Sequence, residues 1–325
     1  MSELNKPYLP KDFIETAEGL CFAVVQQGTE YCDGQEKVLC FLRYIKRDAE
    51  NNSPWHKVTT DPANEYLRRH YPEYLHYSAM LDAHVHAVGI GRIVYHHSPR
   101  QRLQQVLSSQ FHDKVEQDLY DLCLLFQQYG LDLTQAGVTG SILIGAQKPN
   151  SDIDLVFYDQ EQFHQARAIT AELIDKGQLG ALSDKDWQES FARRACALNL
   201  QEYVWHECRK FNKALFNGRK FDLNFIDGQV NAEPIVYHKY GEMTVQCKII
   251  EDQHGFDYPA KFKIDHADIE TVVCFTATYT GQAFVGETVE IAGLLEEAEN
   301  GSIRLVVGST REAPGEYIKV IKCSE

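Results

Sequence analysis

Two neighbouring stretches decide the fold: Gly140-Ser141-Ile142-Leu143-Ile144-Gly145 and Ser151-Asp152-Ile153-Asp154-Leu155-Val156. Successive side chains of a β-strand alternate between its faces, so Asp152 and Asp154 are expected to point the same way. The apolar residues between and after them are then expected to enter the core. The pattern predicts two aligned carboxylates on a strand that follows a glycine-containing turn.

This combination suits the binding of a divalent cation together with a phosphate chain. Mg²⁺ prefers oxygen ligands and usually takes one or two carboxylates, with the rest of its shell from water and substrate phosphates. Gly140 allows the backbone to approach a ligand closely, and Ser141 offers a hydroxyl and an N–H at a predicted helix start, where phosphate is favoured. We therefore predict that Gly140, Ser141 and Ser151 bind a nucleoside triphosphate. Asp152 and Asp154 are then predicted to bind Mg²⁺ or Mn²⁺.

Each part of the motif also has a plain structural explanation. Asp-x-Asp occurs often on exposed strands and loops, and Gly-Ser is a common turn sequence. The order of the parts, with an apolar strand over residues 154–158 behind the acids, favours the catalytic interpretation.

The motif resembles the signature of the DNA polymerase β-like nucleotidyltransferase superfamily. Three flanking stretches resemble a group of predicted archaeal and bacterial nucleotidyltransferases. This resemblance does not indicate the acceptor. The stretches are Phe256-Asp257-Tyr258-Pro259-Ala260, Phe275-Thr276-Ala277-Thr278-Tyr279 and Arg311-Glu312-Ala313-Pro314-Gly315-Glu316-Tyr317. The resemblance implies an α+β fold. Its centre is a nucleotidyltransferase domain with a mixed sheet and helices, flanked by a β-rich N-terminal domain and a small, barrel-like C-terminal domain.

Members of that superfamily carry a third carboxylate on a later strand, and the matching position is Asp222 in Lys220-Phe221-Asp222-Leu223-Asn224-Phe225-Ile226. Apolar residues alternate with Asp222 and Asn224, so one face is expected to be buried while Asp222 faces the metals. In the two-metal scheme, with ions about 3.5–4 Å apart, the resemblance makes Asp222 the ligand of the ion nearer the acceptor. The alternative is a charged residue on the open face of an edge strand.

Length and composition bound the domain organisation. The chain has 325 residues, which is longer than one minimal transferase fold requires. Its hydrophobic content of 44% is enough for ordinary cores. We predict a β-rich N-terminal domain with a helical insertion over 1–100, a catalytic domain with inserted helices over 101–235, and a β-rich domain resembling an oligonucleotide-binding barrel over 236–325. No apolar run approaches the ~20 residues of a membrane helix, and the N-terminus lacks a signal peptide. We expect a cytoplasmic protein that binds no membrane.

Three local predictions follow from periodicity and turn signals. One amphipathic helix is expected from Pro99 to Gly130, followed by a strand over Leu133–Val138 that leads into the Gly-Ser turn. A further helix is expected over Leu200–Asn217. Five strands are expected to form the C-terminal barrel: Thr244–Glu251, Thr271–Tyr279, Glu287–Leu295, Ser302–Val307 and Tyr317–Lys322.

Basic residues concentrate between the paired acids and Asp222, and the candidates are Arg193, Arg194, Arg209, Lys210 and Lys213. Arginine binds phosphate oxygens in bidentate fashion, so these residues are candidates for holding the triphosphate or the acceptor. A solvated helix face that pairs with Glu202 and Glu207 explains them equally well, and for Arg219 we favour the structural explanation. The net charge of −15 argues against broad nucleic-acid binding.

Histidine pairs at His84 and His86 and at His96-His97 raise the possibility of zinc. No acidic or cysteine partner is spaced to complete a ligand set, so hydrogen-bonded histidines are favoured.

The predicted function is transfer of a nucleoside monophosphate from a triphosphate to an acceptor, with release of pyrophosphate. An RNA 3′ end is the favoured acceptor, followed by a small molecule or a protein side chain. A nucleotide-binding regulator without turnover and an interaction scaffold are the alternatives.

Overall fold

A computed structural model describes residues 7–50, 53–108, 110–194, 196–228, 235–310 and 313–323. The described chain is a mixed α+β structure with six α-helices and three sheets, which confirms the predicted class. Of the stretches quoted above, Arg311 and Glu312 lie outside the described residues. Among the described residues, no helix combines the length and the apolar character needed to cross a membrane.

The chain divides into two compact units. The first unit takes the described residues of Met1–Ser78, His84–Ile169 and Leu215–Ala232, and the second unit takes those of Ala79–Ala83, Thr170–Ala214 and Glu233–Glu325. The three-domain division stays a prediction, since compactness does not show which segments fold independently.

An eight-stranded antiparallel sheet forms the N-terminal part of the first unit. Its strands are β1 (Phe13–Thr16), β2 (Leu20–Val24), β3 (Glu30–Cys32), β4 (Gln35–Glu50), β5 (Ser53–Lys57), β6 (Leu75–Ser78), β7 (Ala83–Gly89) and β8 (Ile93–His97). The main order is β6-β7-β4-β2-β1-β8, and β3 and β5 both pair with β4. Helix α1 (Thr60–His70) packs its buried Ala63 and Leu67 into the same core as Phe22 and Leu42 of the sheet.

Two helices replace the single helix predicted from Pro99 to Gly130. They are α2 (Pro99–Ser108) and α3 (Lys114–Gln128). Asp113 has an extended backbone, and its carboxylate accepts hydrogen bonds from the N–H groups of Val115 and Glu116. Such a capping residue begins a new helix, so the prediction of one continuous helix is wrong.

A four-stranded mixed sheet carries the Asp-x-Asp motif. Its strands are β9 (Ala136–Thr139), β10 (Ile153–Phe157), β11 (Lys213–Phe216) and β12 (Arg219–Phe225), in the order β11-β12-β10-β9. Strand β10 runs parallel to β12 and antiparallel to β9. Strand β9 begins later than the predicted Leu133–Val138, because a turn closed by the Ala136 N–H on the Leu133 carbonyl precedes it.

Three further helices follow in the chain: α4 (Gln160–Asp175), α5 (Asp184–Ala192) and α6 (Leu200–Cys208). The helix predicted over Leu200–Asn217 therefore ends nine residues early, at Cys208. Phe211 has a φ of 50°, which a right-handed helix does not accommodate. The chain then enters β11 instead of continuing the helix.

The second unit contains a closed barrel built from five of six strands: β13 (Tyr237–Glu251), β14 (Ala260–Asp265), β15 (Thr271–Cys274), β16 (Thr288–Ala298), β17 (Ile303–Val307) and β18 (Tyr317–Lys322). The ring runs β13-β14-β15-β17-β16 and closes through pairing of β16 with β13. The predicted five-stranded barrel is confirmed, but β14 belongs to the ring while β18 pairs outside it with β16. The signal for β14 was available, because buried Ala260, Phe262 and Ile264 alternate with more polar residues.

Candidate functional site

Gly140 follows β9 and meets the carboxylate of Asp154 directly. Its φ is 68°, and a Cβ at this position would lie 2.3 Å from Asp154 Oδ2. Both the left-handed backbone and the close carboxylate therefore require glycine. The sequence predicted that Gly140 allows a close approach, and in the structure the Asp154 carboxylate lies close to it.

The segment after Gly140 differs from the predicted helix. Ser141 is followed by a single 3₁₀ turn over Ile142–Ile144, which ends at Gly145 with a φ of 66°. The Ala146 N–H donates to the Ser141 carbonyl at 2.8 Å and closes this turn. A helical turn does start at Ser141, as predicted, but it is a single 3₁₀ turn and is too short to supply the dipole of an α-helix.

Asp154 lies opposite two polar residues in the sheet. It is in register with Asp222 on the parallel strand β12 and with Thr139 on the antiparallel strand β9. The predicted alternation on β12 is present, because Phe221, Leu223 and Phe225 are buried while Asp222 is partly exposed. The sheet therefore brings the two carboxylates together, as predicted from the sequence.

The electrostatics of the pair favour a cation. Burial raises the pKa of Asp154 to about 6, and the negative charges of Asp222 and Asp152 act in the same direction. The positive charges of Lys11 and Lys57 lower the pKa of Asp154 but do not outweigh burial and repulsion. A bound cation would relieve this accumulation of negative charge.

Asp152 and Ser151 lie in the loop before β10, not within the strand as predicted. The Ser151 hydroxyl accepts a hydrogen bond from the Lys148 N–H at 2.9 Å, and the Ser151 N–H donates to the Lys148 carbonyl at 2.8 Å. Ser151 thus closes the turn that delivers Asp152 to the carboxylate group. In the structure the Ser151 hydroxyl therefore stabilises this turn.

Arg219 on β12 fixes this loop to the rest of the first unit. Its Nη1 donates to the carbonyls of Pro149 at 2.9 Å and Ser151 at 2.6 Å, while its Nε donates to Asp118 on α3 at 3.0 Å. The structural explanation favoured for Arg219 was a solvated helix face pairing with Glu202 and Glu207, whereas Arg219 lies on a strand and pairs with Asp118. This arginine acts on the site by positioning the backbone next to Asp152.

The donor chemistry of the site suits Mg²⁺ or Mn²⁺. Asp154 interacts through charge with both Asp152 and Asp222, and all three offer hard oxygen donors. Within the described ranges, however, no group of three or more His, Cys, Asp or Glu side chains is close enough to hold a metal ion by itself. Mg²⁺ commonly takes only one or two carboxylates and completes its shell from water and substrate phosphates. The residues therefore fit a cation that arrives with a nucleotide better than a cation held by protein alone.

Lys210 and Lys213 lie in the second unit, where both pair with Glu207. Lys210 Nζ lies 2.5 Å from Glu207 Oε1 and donates to the Thr278 carbonyl at 2.9 Å. Lys213 Nζ pairs with the other carboxylate oxygen of Glu207. The side chains of Glu207 and Lys210 are each only 1% exposed, so this is a buried charge cluster.

The three candidate arginines also lie in the second unit. Arg209 pairs with Glu287 at 2.5 Å and stacks 4.4 Å from the ring centroids of Trp205 and Phe284. Arg194 donates to the Thr278 hydroxyl at 3.4 Å, and Arg193 Nε donates to the carbonyl of Glu189 at 3.3 Å. All five candidate basic residues fall within the Thr170–Ala214 segment of the second unit, and Lys213 is also the first residue of β11 in the sheet that carries Asp154 and Asp222.

Three residues from the N-terminal sheet region belong to the surroundings of Asp154 and were not singled out from the sequence. They are Lys11 and Lys57, whose charges act on Asp154, and Tyr44, whose pKa is raised to about 12 by burial, with a contribution from the charge of Asp154. Nothing in their spacing relates them to the motif, because they come from a distant part of the chain. Only the tertiary structure could identify them.

The histidine pairs have protein partners, as the sequence favoured. His86 Nδ1 accepts from the Leu42 N–H at 2.9 Å, so its Nε2 donates to Asn64 Oδ1 at 2.8 Å. His96 Nε2 lies 2.7 Å from Asp12, and His97 Nε2 lies 3.3 Å from Glu15. These hydrogen bonds account for His86, His96 and His97, and the His84 ring has its centroid 5.3 Å from that of Tyr77.

Comparison with known proteins identifies one informative relative. No family model matches the chain, and no solved structure matches it. The uncharacterized protein MJ1086 of Methanocaldococcus jannaschii is 30% identical over 351 aligned residues, which cover 95% of this chain and 98% of the relative. The match spans both compact units rather than the Asp-x-Asp motif alone. The chain therefore belongs to the same family as this archaeal protein.

Proposed function

We propose that the protein is a metal-dependent nucleotidyltransferase that moves a nucleoside monophosphate from a nucleoside triphosphate to an acceptor and releases pyrophosphate. The observation that carries the proposal is the register of Asp154 opposite Asp222, next to a turn that only glycine can form. A like-charge pair opposite one another destabilises a sheet. The Asp154–Asp222 pair lies beside the Gly140 turn, which is shaped around the Asp154 carboxylate. Binding of a cation and a phosphate chain at this site best explains the pair.

Asp154, Asp222 and Asp152, together with oxygens of the bound triphosphate, would hold Mg²⁺ or Mn²⁺, which would neutralise charge that develops on the phosphate chain during transfer. Asp154 is held between Gly140 and Asp222, and the Ser151 turn fixes the approach of Asp152. Asp222, on the other strand of the pair, would accept the proton of the acceptor group. Catalysis would then rest on positioning and charge stabilisation.

An RNA 3′ end is the proposed acceptor. The support is the five-stranded ring of the second unit, which resembles an oligonucleotide-binding barrel. Barrels of this kind hold single strands on exposed aromatic side chains, and Tyr240 on β13 is 69% exposed. The candidate basic residues are engaged within their own unit, so we do not base the choice of acceptor on them.

Label transfer tests the proposal and identifies the acceptor class. The protein is incubated with Mg²⁺ or Mn²⁺ and a triphosphate labelled on either the α- or the γ-phosphate, together with small RNA, protein or small-molecule fractions of a cell extract. We expect the α-label to appear on RNA and the γ-label to be released as pyrophosphate. α-Label on a metabolite or a protein would retain the transferase and replace the acceptor.

The matched control is a pair of Asp→Asn variants at the two ends of the same strand region. Asp154→Asn removes a site carboxylate, whereas Asp159→Asn removes a charge beyond β10 at a residue that caps the Gln162 N–H, a role that asparagine also performs. Transfer should be lost in the first and retained in the second. Nucleotide binding without any transfer would support the regulator instead, and absence of nucleotide binding would contradict the proposal.

A further inference from the structure

We infer that Lys11 and Lys57, two lysines from the N-terminal sheet region, bind the phosphate chain of the nucleotide at Asp154 and Asp222. The inference rests on the proposed function, because it names the cations that hold the triphosphate at the same site. It also gives the N-terminal part of the first unit a direct role in substrate binding.

Lys11 is fixed by its backbone at the end of β9. Its N–H donates to the Val24 carbonyl at 3.1 Å, and its own carbonyl accepts from the Thr139 hydroxyl at 2.7 Å. Thr139 is the register partner of Asp154 and directly precedes Gly140. These bonds fasten Lys11 next to both the carboxylate and the glycine turn.

The backbone of Lys11 has a φ of 76°, which non-glycine residues rarely adopt. Such conformations persist only where the surrounding structure fixes them, and they concentrate at functional sites. Glycine would satisfy the backbone at this position without the steric conflict. The presence of lysine instead indicates that its side chain is used.

Lys57 reaches the site through a different element. It is the last residue of β5 and lies opposite Tyr44 on β4. Tyr44 is buried in a hydrophobic cluster with Leu143 and Ala146 from the segment after the Gly-Ser turn, and Trp55 of β5 packs against this cluster. Strands β4 and β5 are therefore packed against the segment that follows Ser141.

The charges of the site are consistent with an anionic ligand. Lys11 is held beside Thr139, the register partner of Asp154, and Lys57 lies opposite Tyr44, which packs with residues of the segment after the Gly-Ser turn. Lysine is a compact positive charge and a common phosphate ligand. A triphosphate would bring its negative charge to carboxylates that already repel one another, so cations from the protein are needed beside any divalent metal. The competing explanation is that the two lysines only neutralise the carboxylates.

Three single variants separate these explanations: Lys11→Gly, Lys57→Ala and, as a control, Arg68→Ala. Arg68 is exposed on α1 and pairs with Glu65. The unmodified protein, these variants and Asp154→Asn are titrated with a nucleoside triphosphate and with the corresponding monophosphate, each with Mn²⁺, and with Mn²⁺ alone. Melting temperatures are recorded for all five proteins.

We expect Lys11→Gly to remain folded, because glycine accepts the left-handed backbone and this gain offsets part of the lost charge compensation at Asp154. Triphosphate affinity should fall about tenfold or more in Lys11→Gly and in Lys57→Ala, as for the loss of one charge-assisted hydrogen bond. Monophosphate affinity should change much less, Mn²⁺ affinity should be equal or higher, and Arg68→Ala should match the unmodified protein.

The outcomes distinguish failure of this inference from failure of the proposed function. If the unmodified protein binds the triphosphate with Mn²⁺ and Asp154→Asn does not, but both lysine variants keep their triphosphate affinity, the lysines serve the carboxylates alone and the inference is overturned. If the unmodified protein binds no triphosphate, both the inference and the proposed function are overturned.

Discussion

Asp154 on β10 lies directly opposite Asp222 on β12, in register between two parallel strands. Neighbouring strands are about 4.8 Å apart, so the two carboxylates repel each other across the sheet. The Lys11 and Lys57 charges only partly compensate for this repulsion and for burial, because the pKa of Asp154 remains raised, at about 6. This group of negative charges therefore lowers the free energy of unfolding.

Asp154→Asn is expected to stabilise the protein at neutral pH when divalent cations are absent. Because the folded-state pKa of Asp154, about 6, exceeds the ordinary value of 3.8, the stability of the unmodified protein falls as pH rises between these values. Asparagine carries no charge, so the variant should be more stable above pH 6 by on the order of 1–3 kcal/mol. Urea unfolding in the presence of a chelator, from pH 4 to pH 7.5, measures the difference, which should nearly vanish at the acid end.

Adding Mg²⁺ together with a nucleoside triphosphate should reverse the order, since a ligand that binds only the native state stabilises it by mass action. The control is Asp159→Asn, which should follow the unmodified protein at every pH. A lower stability of Asp154→Asn at pH 7 with chelator would show that the carboxylate is compensated within the protein.

Gly140→Ala is expected to destabilise the first unit more than Gly28→Ala does. Both glycines have a positive φ, 68° and 77°, but only at Gly140 would a Cβ meet another group, Asp154 Oδ2 at 2.3 Å. Each alanine should lose about 1 kcal/mol from the backbone, and Gly140→Ala a further 1–3 kcal/mol or so from the steric conflict. Chemical denaturation of both variants measures the difference.

A double variant tests the cause of that difference. Combining Gly140→Ala with Asp154→Ala removes the carboxylate that the new Cβ would meet, so part of the lost stability should return. Equal effects of Gly140→Ala in the presence and absence of the Asp154 side chain would show that the contact is not responsible.

Arg219→Lys is expected to weaken metal binding without removing any carboxylate of the site. Lysine cannot reproduce the forked contacts to Pro149, Ser151 and Asp118. Asp118 keeps Lys114 and Asn217 as partners, so the loss of stability should be moderate, about 1–3 kcal/mol. Mn²⁺ titration with nucleotide should show reduced affinity, and unchanged affinity in a destabilised variant would show that the loop does not position Asp152.

Glu207→Gln is expected to destabilise the second unit strongly. Burial raises the pKa of Glu207, but Lys210 and Lys213 outweigh it and lower the pKa to about 2. Lys210 has a pKa lowered by burial to about 8, so it stays charged at neutral pH. Removing the Glu207 carboxylate leaves the ammonium groups of Lys210 and Lys213 without their shared negative partner. This should reduce the free energy of unfolding by about 3–5 kcal/mol.

The same pKa predicts acid sensitivity of the unmodified protein. The contribution of Glu207 should be fully present above pH 4.5 and lost as pH falls towards 2. Glu172→Gln in the exposed pair with Lys176 is the control and should change stability by less than about 0.5 kcal/mol. Comparable effects of the two substitutions would contradict a structural role for the Glu207 cluster.

Local patterns predicted the core of the site because they depend on neighbouring residues alone. The alternation around Asp222 and the glycine required beside Asp154 both follow from strand geometry and from φ. The helix expected at Ser141 is only one 3₁₀ turn long because a left-handed Gly145 ends it, which apolar spacing does not indicate. Likewise, the helix expected to reach Asn217 was wrong because of the backbone at Phe211.

Long-range relationships were beyond the sequence. The approach of Lys11 to Asp154 depends on a hydrogen bond from Thr139, which lies 128 residues further along the chain. The five basic residues were proposed for the site because they lie between the acids in the sequence, whereas their contacts are to residues of the second unit such as Glu207 and Glu287.

Release of pyrophosphate is the measurement that tests the central claim most directly. The unmodified protein, Asp154→Asn, Asp222→Asn and Asp159→Asn are compared with a triphosphate, Mg²⁺ and small RNA, after circular dichroism has shown that all four are folded. We predict Mg²⁺-dependent pyrophosphate release, in step with label transfer, by the unmodified protein and Asp159→Asn, and at least a hundredfold or so less by the other two variants. Equal pyrophosphate release by folded Asp154→Asn would contradict the assignment of the carboxylate pair to catalysis.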